Sequence, residues 1–210
     1  MRAFKIIGII MVILAVAAGG FYFGFRFREK APETFRELSW RELYAGVLRT
    51  YINSESPDSG SAQFNIYDLD GDGTPELLVS KDNFHLAPAE VFALYRGTVY
   101  YLGGFGSSGD FQYDPVTGYI YSEYSNLGIA STSIRQIVDG KVNDIASFVE
   151  ISDSPVAPGE QGFAVNGAEV SEEEYNREWE KYDHKTDDNF TVRKYVVNED
   201  EIARVLGLSS

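Results

Sequence analysis

Four carboxylates fall within nine residues, Asp68-Leu69-Asp70-Gly71-Asp72-Gly73-Thr74-Pro75-Glu76, and no other stretch of the 210-residue chain restricts its own folding as much. Acids at positions 1, 3, 5 and 9 of a tightly turning segment can point inward together. Like charges a few ångströms apart raise one another's pKa and oppose closure. A hard cation removes that cost. Ca²⁺ takes six to eight oxygens at ~2.3–2.6 Å in flexible geometry, whereas Mg²⁺ prefers octahedral sites that keep several waters. The expected ligands are the side chains of Asp68, Asp70, Asp72 and Glu76 and the main-chain carbonyl of Thr74, with water completing the shell. Gly73 at position 6 permits the sharp bend around the ion. Such a loop is expected to be ordered with the cation and loose without it.

The N-terminus sets a second limit. Ile6–Phe25 is 20 residues without a charge, preceded by Arg2 and Lys5 and followed by Arg26, Arg28 and Lys30. About 20 apolar residues cross a ~30 Å hydrocarbon core. Phe21, Tyr22, Phe23, Phe25 and Phe27 gather at one end, as interfacial aromatics do. The expectation is a transmembrane helix in an anchor-and-junction segment, residues 1–30, ahead of an extracytoplasmic domain, residues 31–210. Ala15-Val16-Ala17 also suits signal cleavage. The uncleaved anchor is favoured because the apolar run continues past that site. Both readings export the domain, as a membrane-anchored or as a secreted protein. Basic residues on both flanks leave orientation to the N-terminal position and to the acidic loop.

Charge then excludes classes of partner. The whole chain carries −14 and its first 26 residues carry three basic and no acidic side chains, so the remainder carries −17. Such a surface repels nucleic acid and anionic lipid. The chain has no cysteine, which removes disulfides, thiolate catalysis, thiolate metal sites and lipoprotein-type anchoring together.

Periodicity predicts an α+β fold, an antiparallel aromatic-rich sheet flanked by N- and C-terminal helices. A helix is expected from about Glu33 to Ile52, with Phe35, Leu38, Leu43, Val47, Leu48 and Tyr51 near one face. Asn53–Ala62 is a loop by composition. Phe64 and Ile66 alternate with polar residues. Leu77–Val79, Val91–Tyr95, Val99–Leu102, Tyr119–Tyr124, Thr132–Val138 and Ile145–Glu150 read as strands of one meander. Arg96-Gly97, Asp114–Gly118 and Asp139-Gly140 mark turns between them. Gly103–Gly109 and Ser152–Gln161 read as surface loops, and Asn166-Gly167 as a tight turn. Ser171 followed by Glu174 opens an acidic helix to about Tyr182. Asp183–Asn189 is a polar loop, and Thr191–Val197 a last strand. Asn198 with Glu201 starts a final helix burying Ile202, Val205 and Leu206.

Asp68–Glu76 resembles the calcium loop shared by EF-hands, dockerins and the FG-GAP repeats of integrin-type propellers. An EF-hand places its last acid at position 12, which here is Val79. The form ending in an acid at position 9, with Pro75 before it and Leu77-Leu78-Val79 after it, is closer to the FG-GAP type. A propeller needs many copies and this chain has one, so the propeller is not implied. Residues 40–182 also resemble small extracytoplasmic bacterial proteins in which an anchor and a helix precede one such loop and an aromatic-rich sheet. Tyr67–Val79 is the most specific part of that resemblance, and Asn166–Tyr175 a softer one. It implies a metal site and a cell-surface location, not an activity.

Nothing in the residues demands catalysis. His85 and His184 lack a zinc-ligand spacing, and no Gly-x-Ser-x-Gly elbow is present. Carboxyl pairs such as Asp110 and Glu123 are expected by chance among 32 acids. Two readings follow. The first is a calcium-locked binding or structural module presenting an aromatic face around Tyr100–Tyr124 to a wall polymer, protein or peptide. The second is a calcium-stabilised cell-envelope hydrolase with its site in the Gly103–Gly109 and Ser152–Gln161 loops. The first is preferred. An exposed aromatic patch favours it, and a deep pocket holding two carboxyls would favour the second.

Overall fold

The computed structural model describes residues 38–52, 62–81, 87–152, 161–182 and 190–208. These belong to one compact unit that starts at Leu38. The apolar segment 6–25 and both histidines lie outside the described residues. Among the described residues no helix is long and apolar enough to cross a membrane.

The first helix among the described residues, α1 (Trp40–Arg49), starts where its cap dictates. The Ser39 hydroxyl accepts from the Glu42 backbone N–H, and the Glu42 carboxylate accepts from the Ser39 N–H. This reciprocal box satisfies two otherwise orphaned donors. It sets the helix start later than the 3.6-residue pattern alone indicated.

The strands do not form one meander. They form two antiparallel sheets. The first runs in the order β11-β1-β2-β3-β4, with β1 Gln63–Tyr67, β2 Glu76–Ser80, β3 Ala89–Tyr95, β4 Thr98–Phe105 and β11 Tyr195–Val196. The second is a six-stranded meander of β5 Gln112–Asp114, β6 Tyr119–Asn126, β7 Ile129–Val138, β8 Lys141–Ile151, β9 Gly162–Val165 and β10 Ala168–Val170. Two further helices complete the unit, α2 (Glu172–Trp179) and α3 (Glu199–Leu206). Thr191–Val197 was expected as a longer strand, but only Tyr195 and Val196 pair in a sheet, against Phe64 and Gln63.

Period-two alternation explains the stacking. Leu77 and Val79 of β2 turn to one side and join Tyr44, Leu48, Ile202 and Leu206 in a core under α1 and α3. Leu78, between them, turns to the other side and packs with Val91, Phe105, Ile120 and Ile137 in a core between the sheets. Tyr121, Ile134 and Phe148 point away from that inner core and meet Tyr175 and Trp179 of α2. The layers are therefore helix pair, sheet, sheet, helix. Every residue of β2 is buried, because both of its faces are covered.

The hairpin turns follow backbone chemistry. Arg96-Gly97, Leu127-Gly128, Asp139-Gly140 and Asn166-Gly167 all carry positive φ at both positions. That is the type I′ form that matches strand twist. Gly103–Phe105, expected in a loop, are strand instead. Gly104 lies so close to Pro88 that a Cβ would stand 2.7 Å from the proline ring. Its glycine therefore signals close approach rather than flexibility.

Candidate metal centre

The acidic loop joins two strands. Tyr67, the last residue of β1, pairs with Glu76, the first of β2, so Asp68–Pro75 is the connection of a hairpin. Three contacts fix the loop in the layered core. Leu69 is buried between the sheets. The Tyr113 hydroxyl of β5 donates to the Leu69 carbonyl at 3.1 Å. From the opposite side, the Tyr44 hydroxyl of α1 donates to the Pro75 carbonyl at 2.9 Å.

Inside the loop the carboxylates organise the backbone. Asp68 accepts from Gly71 N–H through Oδ1 at 2.8 Å and from Gly73 N–H through Oδ2 at 3.0 Å. Asp70 Oδ1 accepts from Asp72 N–H, and Asp72 Oδ1 from Thr74 N–H. Glu76 Oε2 accepts from Leu69 N–H at 2.7 Å and closes the ring of contacts. Gly71 and Gly73 have φ of 74° and 87°, where side chains are strained.

Asp68, Asp70 and Glu76 each offer an oxygen, and these oxygens lie within 4.8 Å of one another. Such a cluster could hold a metal ion. Asp72 and Thr74 belong to the same loop but lie outside this trio. Asp72 is exposed and its Oδ1 holds the Thr74 N–H. Glu76 is only 3% exposed. Burial, with Asp70, Asp68 and Asp72 nearby, pushes its carboxyl up to about 8 despite the hydrogen bond from Leu69. Burial first, then the neighbouring acids, also raises Asp70. The donors are all oxygen, which suits a hard cation, and the charge they concentrate is of the kind a cation relieves.

A cleft of about 330 Å³ adjoins the loop. Asp70 and Asp72 line it together with Tyr113, Val116, Gln136 and Asp139. The other acids considered in the sequence have structural partners. Asp110 accepts from Thr191 Oγ1 and from the backbone N–H of Val192, tying the chain after α2 to the sheets. Glu123 accepts from the Gln112 side chain at 3.2 Å.

Sequence reasoning did not find Tyr44 and Tyr113, which position the loop. Tyr44 lies on the apolar stripe of α1 and reads as a core residue. Tyr113 sits in a three-residue strand too short to show a period. No protein-family model, curated protein or solved structure matches the chain.

Proposed function

We propose that this chain is a calcium-stabilised binding module, held at the extracytoplasmic face of a membrane by residues 6–25. The observation that carries the calcium part is the convergence of Asp68, Asp70 and buried Glu76 on one point of a hairpin loop. Oxygens bound to one Ca²⁺ at ~2.3–2.6 Å stand at most ~5.2 Å apart, and the 4.8 Å limit of the cluster fits within that sphere. The exposed carboxylate of Asp72, the Thr74 carbonyl and water complete the shell. Here the ion is structural. It neutralises a loop that Leu69, Tyr44 and Tyr113 anchor to the helix layer and to both sheets, so closing the loop tightens all three.

Placement at the membrane rests on the 20 uncharged residues Ile6–Phe25 and the basic residues around them. An extracytoplasmic setting supplies millimolar calcium, which suits a loop whose ligands, apart from the buried Glu76, are half-buried or exposed. A binding role is supported by Tyr100, Tyr101 and Tyr124, aromatic side chains that the fold leaves 47%, 58% and 36% exposed.

The test is thermal unfolding of the full chain in neutral detergent. The conditions are metal-free buffer, millimolar Mg²⁺ and millimolar Ca²⁺, with Asp70→Ala alongside. A calcium-specific rise in midpoint, absent from the variant, is expected. At ~100 times the dissociation constant the rise corresponds to ~2.7 kcal/mol. Equal midpoints in all three conditions would sink the metal assignment.

A further inference from the structure

The two sheets have four outer strands among the described residues, and they are not alike. β11 has two residues, and β5 and β10 have three each. β4 has eight, Thr98–Phe105, and among the described residues pairs only through β3. A long edge strand presents a row of unpaired N–H and C=O groups, and folded proteins normally blunt it with lysine, proline, a bulge or a cover. β4 contains no charged residue and no proline.

Its far half is protected. The register of the β3–β4 pair shifts between Val91 and Phe92, so that Gly103 and Tyr101 face successive residues and Leu102 is the extra one. The Arg135 side chain of β7 then donates through Nη2 to the Gly104 carbonyl at 3.2 Å, and its guanidinium stacks 3.9 Å from the Phe105 ring. The near half, Thr98–Tyr101, has neither device. It carries the exposed Tyr100 and Tyr101 on opposite faces, and the Tyr101 ring lies 5.3 Å from that of Phe92.

We propose that Thr98–Tyr101 accepts an extended, lysine- or arginine-bearing peptide segment of a partner protein as an added antiparallel strand. The outward main-chain groups specify an extended backbone, since the alternating row of N–H and C=O groups of an edge strand exchanges its water for protein partners all at once only with another strand. Two tyrosines on opposite faces flank it and cover alternate side chains of the added strand. Charge and area select the source. A second copy of this chain would bring another −17 body against the first. It would bury mainly four half-exposed tyrosine rings, on the order of 400 Å², against the ~1,200 Å² or more of a stable interface. A cationic peptide avoids the repulsion and needs only the backbone ladder and the two rings. This inference rests on the binding-module reading but not on the metal.

The experiment records backbone amide NMR spectra of the full chain in neutral detergent. The probe is an N-acetylated, C-amidated hexapeptide alternating Lys and Val. Two controls accompany it: the same peptide N-methylated on alternate amides, and the Tyr101→Pro variant. The unmodified peptide is expected to shift the amides of Val99 to Leu102 and to bind at least tenfold more tightly than the methylated one. Tyr101→Pro should lose the same tenfold while its other amides stay in place. If that variant fails to fold, Tyr101→Ala with the methylated peptide decides. Equal binding of both peptides would mean only non-specific charge attraction and would overturn the proposal. So would shifts confined to the acidic loop or to α2. Concentration-dependent shifts at Val99–Leu102 without peptide would make a second copy the occupant, and would equally overturn it. A calcium titration of the same sample reads the metal site separately, so either idea can fail while the other stands.

Discussion

Glu76→Gln should flatten the pH response of the metal-free protein between pH 4.5 and 8 and abolish its response to calcium. Glu76 is nearly inaccessible, and its carboxyl is raised from 4.5 to about 8 by burial and by the acids around it. A carboxyl raised on folding is protonated in the folded state over a pH range where the unfolded chain has already lost the proton. Its contribution is therefore most favourable below 4.5, falls as pH rises through the window from 4.5 to about 8, and is flat above it. At ~1.36 kcal/mol per pH unit this amounts to about 3 kcal/mol at pH 7 and nearer 5 kcal/mol at pH 8. Glutamine has no charge to bury and its amide oxygen still accepts from Leu69 N–H. In metal-free buffer at pH 7 the variant should therefore melt higher by about 6–12 °C, taking 2–4 °C per kcal/mol for a domain of this size. Calcium should raise the wild-type midpoint and leave the variant's unchanged, because the substitution removes the ligand that closes the site. Circular dichroism melts at pH 5, 6, 7 and 8, with and without calcium, measure both differences. A variant with the wild-type pH slope in metal-free buffer, or an equal rise with calcium, would refute the reasoning.

Three further outcomes follow from the packing. Tyr113→Phe deletes the hydroxyl that holds the Leu69 carbonyl. It should cost about 1 kcal/mol in urea unfolding and weaken calcium binding severalfold by calorimetry, without altering the ligands. Gly106→Ala would place a Cβ 1.8 Å from the Asp110 carbonyl oxygen at a φ of 67°. It should destabilise by well over the ~1 kcal/mol of a glycine-to-alanine change at positive φ, read as a shifted denaturation midpoint. Phe148→Ala removes a fully buried ring that meets Tyr175, Trp179 and Tyr182 edge-on. A loss of about 3–5 kcal/mol is expected, together with a red-shifted tryptophan emission as α2 loosens.

Much of this architecture was legible because local chemistry and final structure agree. Asp139-Gly140 and Asn166-Gly167 announced their hairpins, since Asp and Asn tolerate positive φ. Leu127-Gly128 makes the same turn without a sequence signal, because leucine has no preference for positive φ and its conformation is imposed by the strands on either side. The helix caps at Ser171 and Asn198 follow directly from residue spacing, their side chains accepting from the N–H groups of Glu174 and Glu201. The division into two sheets was not legible. Consecutive hairpins look alike in sequence whether or not the chain changes sheet between them, and the change occurs at Gly106–Phe111, where glycines suggested only a loop. The acidic trio was visible as a pattern. The supports from Tyr44 and Tyr113 were not, because they arrive from 31 and 44 residues away along the chain.

The chain leaves its first sheet after β4, builds the whole second sheet and α2, and only then returns to add β11 and α3 to the first. Phe64 pairs with Tyr195, and Ile202 and Leu206 close the same core as Tyr44 and Leu48. A chain emerging from a ribosome or a translocation pore thus has one face of its earliest sheet only partly covered, by α1, until β11 and α3 appear. Closing that loop of over a hundred residues is slow. In the meantime the newborn chain must be kept from sticking to its neighbours, and completion of the domain waits on the segment that carries β11 and α3.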